Sequence, residues 1–88
     1  MRSAESFQLI DVREPAEHSA FNIGGLLIPL SGITRQSHLV ETGKPVVFYC
    51  RVGVRSQIAI QRLKEKYPYQ NLFNLAGGIE AWKKEFTS

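Results

Sequence analysis

The chain has 88 residues, a net charge of +3 and 43% hydrophobic residues, enough for one small domain around a single core. Its one cysteine excludes an internal disulfide and fits a reducing, cytoplasmic setting in which a reactive thiol survives. No apolar run approaches the roughly 20 residues of a membrane span, the eleven basic residues are scattered instead of forming a nucleic-acid patch, and no His/Cys cluster implies a metal or other cofactor.

Residues 1–6 carry no periodic signal and read as a loose lead-in. Phe7 to Val12 reads as a buried strand, and Pro15 permits a short helix to Ala20. Gly24-Gly25 breaks the chain before a short strand over Leu26–Ile28, which Pro29 stops. Ser31 to Val40 is expected as a helix, weakened by Gly32 and Thr34. After the turn at Gly43-Lys44-Pro45, Val46 to Tyr49 is a third strand. The next helix is expected from Ser56 to Tyr67, with Ser56 as its N-cap and Ala59, Leu63 and Tyr67 on one face. Pro68 ends it. Asn71 to Leu75 is a fourth strand, Gly77-Gly78 a second break, and Ile79 to Phe86 a last helix.

Strands alternating with helices predict a single α/β domain over 1–88. Its sheet is small and mostly parallel, about four to five strands, with helices on both faces. Ligands in such sheets bind beyond the carboxyl ends of the strands. Asp11, Cys50 and the segment from Leu75 to Gly78 all lie at such ends.

The segment Cys50-Arg51-Val52-Gly53-Val54-Arg55-Ser56 joins the third strand to the following helix. A lone cysteine after a strand is often a small buried hydrophobe. Here it enters a helix start, where free N–H groups and the helix dipole favour a thiolate, and Arg51 and Arg55 add two cations. The pattern describes a nucleophilic sulfur, Cys50, in an anion cradle from Arg51 to Arg55. Asp11 and Arg13 read as structural support, with Arg13 expected to pair with Glu14 or Glu17. His18 reads as a surface residue and Trp82 as core.

Three motifs resemble the rhodanese family of sulfurtransferases: Leu9-Ile10-Asp11-Val12-Arg13-Glu14-Pro15, the cysteine segment 50–56, and Leu75-Ala76-Gly77-Gly78-Ile79-Glu80-Ala81-Trp82. They occur in the family's order and span residues 9 to 82. The stretch from Asn22 to Leu30 departs from the common family pattern. It looks like the rhodanese domain fused to adenylyltransferases of molybdopterin and thiamine biosynthesis. No adenylation domain is present, and the lead-in before Asp11 is short, so the chain reads as an excised domain or a stand-alone relative.

The resemblance implies that Cys50 accepts sulfane sulfur as a persulfide from thiosulfate or a protein persulfide and passes it to a thiophilic acceptor. It also suggests a ubiquitin-fold sulfur carrier, or a fused adenylyltransferase domain, as partner. Two rivals stand beside it. Cysteine phosphatases and arsenate reductases share the loop-to-helix layout, but place five residues between cysteine and arginine where this chain has four. The other rival is a non-catalytic rhodanese-like interaction module.

Overall fold

The computed structural model describes residues 6–87. Most of the expected lead-in therefore lies outside the described residues. Four strands form one sheet: β1 (Gln8–Asp11), β2 (Leu26–Leu27), β3 (Val46–Tyr49) and β4 (Leu72–Asn74). Their order is β2-β1-β3-β4, and every pairing is parallel. The two central strands pair over their whole length, from Gln8 opposite Val46 to Asp11 opposite Tyr49.

This order creates a topological switch. From β1 the chain turns to one side to form β2; from β3 it turns to the other side to form β4. Right-handed crossovers in opposite directions put their connections on opposite faces. The contacts agree with that rule. Helix α1 (Pro15–Ala20) is followed by Phe21, whose ring meets Trp82 of α3 (Gly78–Thr87) at 6.2 Å. On the other face, α2 (Val54–Lys66) packs on β3, β4 and the turn at Leu30–Gly32. The carboxyl ends of β1 and β3 thus mark the point from which the two connections diverge, where α/β sheets of this kind place their ligands.

The core forms where both faces of β1 and β3 are covered. Ile10, Val12, Val46 and Phe48 are fully buried, and Ile28, Ile33, Ala59 and Leu63 close over them. Among the described residues no helix is long and apolar enough to cross a membrane.

Three local expectations are corrected. The helix expected over 31–40 is absent; two 3-10 turns, Leu30–Gly32 and Ser37–Leu39, take its place. Gly32 and Thr34 disfavour a continuous helix, and the short turns still seat Ile33 and Val40 in the core. Helix α2 begins two residues early, with Gly53 as its N-cap at φ 102°. Ser56 is therefore the third helical residue, on the buried face with Ala59, Ile60 and Leu63. Tyr67 falls just past the helix end and is exposed, so Ser56 and Ile60 complete the face expected to include it.

A buried ionic clamp closes β1. The Asp11 carboxylate accepts the Arg13 backbone N–H at 2.9 Å and the Arg13 guanidinium through Nε at 3.0 Å and Nη2 at 2.9 Å. His18 Nδ1 approaches the same carboxylate at 2.8 Å. Arg13 thus pairs with Asp11, not with Glu14 or Glu17, and His18 is partly buried against the clamp. The second Nη2 contact, to the Phe21 carbonyl, ties the end of α1 to the strand. Burial alone would raise the Asp11 pKa, but Arg13 and His18 outweigh it and hold the carboxyl below its ordinary value.

A depressed folded-state pKa gives stability that is present above the ordinary carboxylate pKa and lost as pH falls through the folded value. Asp11→Asn strands a buried guanidinium and is expected to cost roughly 3–5 kcal/mol at neutral pH. Urea unfolding of both proteins between neutral and acid pH checks this: the variant should also show a flatter acid limb, and a loss below about 1 kcal/mol would mean that Arg13 is readily solvated.

Candidate active site

Cys50 follows the last residue of β3, and the chain then turns at Gly53 into α2. The first N–H groups of any helix lack intrahelical acceptors. Here the sulfur is the acceptor. Cys50 Sγ receives the N–H of Gly53 at 3.1 Å and that of Ser56 at 3.4 Å, with the Ser56 hydroxyl 3.6 Å away. Burial pushes the thiol up, but the hydrogen bonds from Ser56, Gly53 and Val52 outweigh it, and the Cys50 pKa lies below its ordinary value.

The loop's peptide orientation is set from outside. At the head of α3, Ile79 N–H donates to the Cys50 carbonyl at 2.9 Å and Glu80 N–H to the Arg51 carbonyl at 3.0 Å. In a trans peptide the N–H opposes the C=O, so turning the Arg51 carbonyl toward α3 turns the Val52 N–H the other way, toward the sulfur. This docking explains Gly78. A Cβ there would collide with the Cys50 oxygen and lie 2.6 Å from the Arg51 carbonyl carbon.

Two residues complete the site that sequence reasoning did not place there. Asn74, at the end of β4, accepts the Ser56 hydroxyl proton and donates from Nδ2 to the Gly53 carbonyl at 3.1 Å and to Gln57 Oε1 at 3.2 Å. It pins both ends of the turn that holds the sulfur. Strand alternation carries the signal: Leu72 is buried and Phe73 exposed, so Asn74 returns a polar side chain to the inner face. The second is Glu17 of α1, whose carboxylate grips Arg55 at 2.7 and 2.9 Å. That guanidinium, with the Glu14 N–H, holds the Glu17 pKa at about 2. No local pattern links residues 17 and 55; only the sheet order brings α1 and α2 together.

The expected site residues therefore divide. Cys50, Gly53 and Ser56 meet at the sulfur, and Arg51, Val52 and Val54 form an exposed flank of the loop. Arg55 is drawn into its pair with Glu17. Asp11 and Arg13 stand behind the loop: Arg13 packs 5.7 Å from the centre of the Tyr49 ring. The Tyr49 hydroxyl in turn donates to the Gly24 carbonyl at 2.8 Å. Among the described residues no group of His, Cys, Asp and Glu is arranged to hold a metal ion. The arrangement can do one thing chemically: stabilise negative charge on sulfur at the carboxyl end of β3, under the loop that starts α2.

The family model for the rhodanese-like domain matches residues 1–85. The uncharacterised protein YqhL of Bacillus subtilis (strain 168) is 43% identical over 76 residues, covering 85% of this chain and 60% of that protein. Adenylyltransferase and sulfurtransferase MOCS3 of Drosophila persimilis is 38% identical over 82 residues, covering 84% of this chain but 18% of the longer protein. The chain thus spans less than two thirds of these curated relatives. Among solved structures, a rhodanese-related protein from Thermoplasma volcanium superposes with a TM-score of 0.82 at 26% identity, covering 99% of this chain and 86% of the other. CoADR-RHD of Bacillus anthracis superposes with a TM-score of 0.81 at 32% identity, covering 92% of this chain and 14% of the other. The motifs, the parallel sheet and these likenesses converge: the chain belongs to the rhodanese-like domain family.

Proposed function

We propose that this domain is a sulfurtransferase that carries sulfane sulfur as a persulfide on Cys50. The observation that carries the reading is the sulfur's place as acceptor for the Gly53 and Ser56 N–H groups at the head of α2. A core cysteine needs no such donors; a thiolate does. The Cys50 thiolate attacks the outer sulfur of the donor, a new S–S bond forms, and the donor's own bond to that sulfur breaks. With thiosulfate, sulfite leaves; with a persulfide R–S–SH, the thiolate R–S⁻ leaves and the proton stays on the transferred sulfur. In the second half-reaction a thiol or other nucleophile takes the outer sulfur and restores the Cys50 thiolate. Toward a carrier whose C-terminal carboxyl is activated as an acyl adenylate the roles reverse: the persulfide's outer sulfur attacks the acyl carbon and AMP leaves. A thiol reductant then cleaves the S–S bond to free the thiocarboxylate and Cys50. No general base is needed for a thiol that is already ionised.

The likeness to MOCS3 supports a ubiquitin-fold sulfur carrier as acceptor, and with it a cytoplasmic role in molybdopterin or thiamine biosynthesis. Cysteine phosphatase chemistry is less well supported, because the arginine that would hold phosphate is engaged by Glu17. One observation favours a different class, a binding module without catalysis: Cys50 is only 1% exposed. Reagents must reach the sulfur through the loop between Cys50 and Ser56, so the two readings part on whether they do.

Intact-mass measurement separates them. Incubation with thiosulfate or a protein persulfide should add one sulfur atom, and Cys50→Ser should abolish the gain. A wild-type protein that never gains mass from any sulfane donor is a binding module.

A second measurement tests the sulfur's surroundings. Iodoacetamide alkylation against pH should show an inflection below about 8.5, the free-cysteine value. Ser56→Ala keeps the N–H donors of Gly53 and Ser56 and should leave the inflection below that value, because the hydroxyl proton is given to Asn74 Oδ1. A return to the free-cysteine value in Ser56→Ala would mean that the hydroxyl donates to the sulfur instead.

A further inference from the structure

We propose that Glu17 sets the charge selectivity of the Cys50 loop: by holding Arg55 in a two-pronged ion pair it withholds that guanidinium from oxyanion donors and favours sulfur donors with one negative charge or none. The inference rests on the sulfurtransferase reading and assigns a specificity-determining residue to it.

Arg55 is the second residue of α2, between Val54 and the sulfur-binding Ser56. Its charge is felt at the sulfur. Glu17 raises the Arg55 pKa most, burial opposes it, and the negative charge of Cys50 adds to the rise. Left free, such a guanidinium would offer a fork of donors to a sulfonate or other oxyanion entering the loop. The end-on fork is instead turned to Glu17, Nη1 giving one N–H to Oε1 at 2.7 Å and Nη2 one to Oε2 at 2.9 Å. The pair closes the forked edge of the guanidinium and offsets its charge, so an incoming oxyanion meets a neutralised arginine with only its lateral N–H groups to offer. Both side chains are only about a third exposed, so solvent screens the pair less than one on an open surface. The Glu17 pKa of about 2 keeps the carboxylate charged at every physiological pH. That leaves Arg51 as the exposed cation of the loop.

The consequence is a choice between donors. Thiosulfate brings two negative charges to a site whose nucleophile is already an anion, and meets one available cation instead of two. A persulfide brings at most one charge and needs no oxyanion seat, because its leaving group is a thiolate. Loading from a persulfide needs no oxidant or reductant: Cys50–S⁻ and R–S–SH become Cys50–S–SH and R–S⁻.

The test compares alkylation of Cys50 by iodoacetate, an anion, with alkylation by neutral iodoacetamide, in wild type and in Glu17→Gln. The glutamine keeps an acceptor for the Glu14 N–H that Glu17 Oε1 now takes at 3.0 Å, so α1 retains its start. Freeing one cation near the sulfur is expected to raise the iodoacetate-to-iodoacetamide rate ratio roughly tenfold at low salt, and to lower the KM for thiosulfate. Adding Arg55→Ala to Glu17→Gln should return the ratio toward the wild-type value. Arg55→Lys, which cannot make the fork, is a second route that leaves α1 intact and should raise the ratio by a smaller factor. An unchanged ratio in both Glu17→Gln and Arg55→Lys would overturn the proposal, as would a rise that survives removal of Arg55. The ratio is read without sulfur transfer. A protein that takes no sulfane sulfur would defeat the sulfurtransferase reading while the alkylation ratio still decides the role of Glu17.

Discussion

The site depends on one constraint: the head of α2 has backbone N–H groups that nothing within the helix can accept. Most helices meet this need with a serine, threonine or aspartate side chain. Here the Cys50 sulfur meets it, at 3.1 and 3.4 Å from the nitrogens of Gly53 and Ser56. A neutral thiol is a weak acceptor and a thiolate a strong one. The same geometry that completes the helix therefore favours the ionised form of the nucleophile, and folding and chemistry draw on a single set of hydrogen bonds. Gly53, Asn74 and the head of α3 each serve that set: one turns the chain, one pins the turn, and one orients its peptides.

Around this centre the molecule is a system of clamps at the carboxyl ends of the strands. Asp11, Arg13 and His18 close β1, Asn74 closes β4, and Glu17 with Arg55 joins the two helices that follow the central strands. Each clamp satisfies buried or half-buried polar groups that would otherwise destabilise the fold. Among the described residues no buried side-chain nitrogen or oxygen is left without a partner. The clamps also have different weights. The Asp11 pair is enclosed and structural, whereas the Glu17 pair is a third exposed and lies where a donor would pass it, so its charge balance bears on which donors approach.

Much of this was legible in the sequence, and the failures share a physical cause. Strand–helix alternation predicted the parallel sheet, and α1 spans the expected Pro15–Ala20 because proline fixes a helix's first turn. The link from cysteine to helix head was also readable, since it is local. Serine before an apolar helix usually caps it, yet Gly53 at positive φ starts this helix earlier and carries Ser56 inward. The helix expected over 31–40 failed because tertiary packing of Ile33 and Val40 outweighed a weak periodic signal. The partners of Arg13, Arg55 and Asn74 depend on which strands are neighbours, and no one-dimensional pattern carries that information.

The solitary sulfur has a further consequence for how the protein ages. Cys50 is the one cysteine of these 88 residues, so a sulfenic acid formed there has no second thiol within the domain to trap it as a disulfide. Rescue must come from a thiol outside the domain, and without it oxidation proceeds to the irreversible sulfinic and sulfonic acids. The donors that favour the thiolate would also favour those anionic end products. A covering that leaves the sulfur 1% exposed is thus a protection as well as a restriction: the loop that limits which donors enter also limits the peroxides that would end the nucleophile's life.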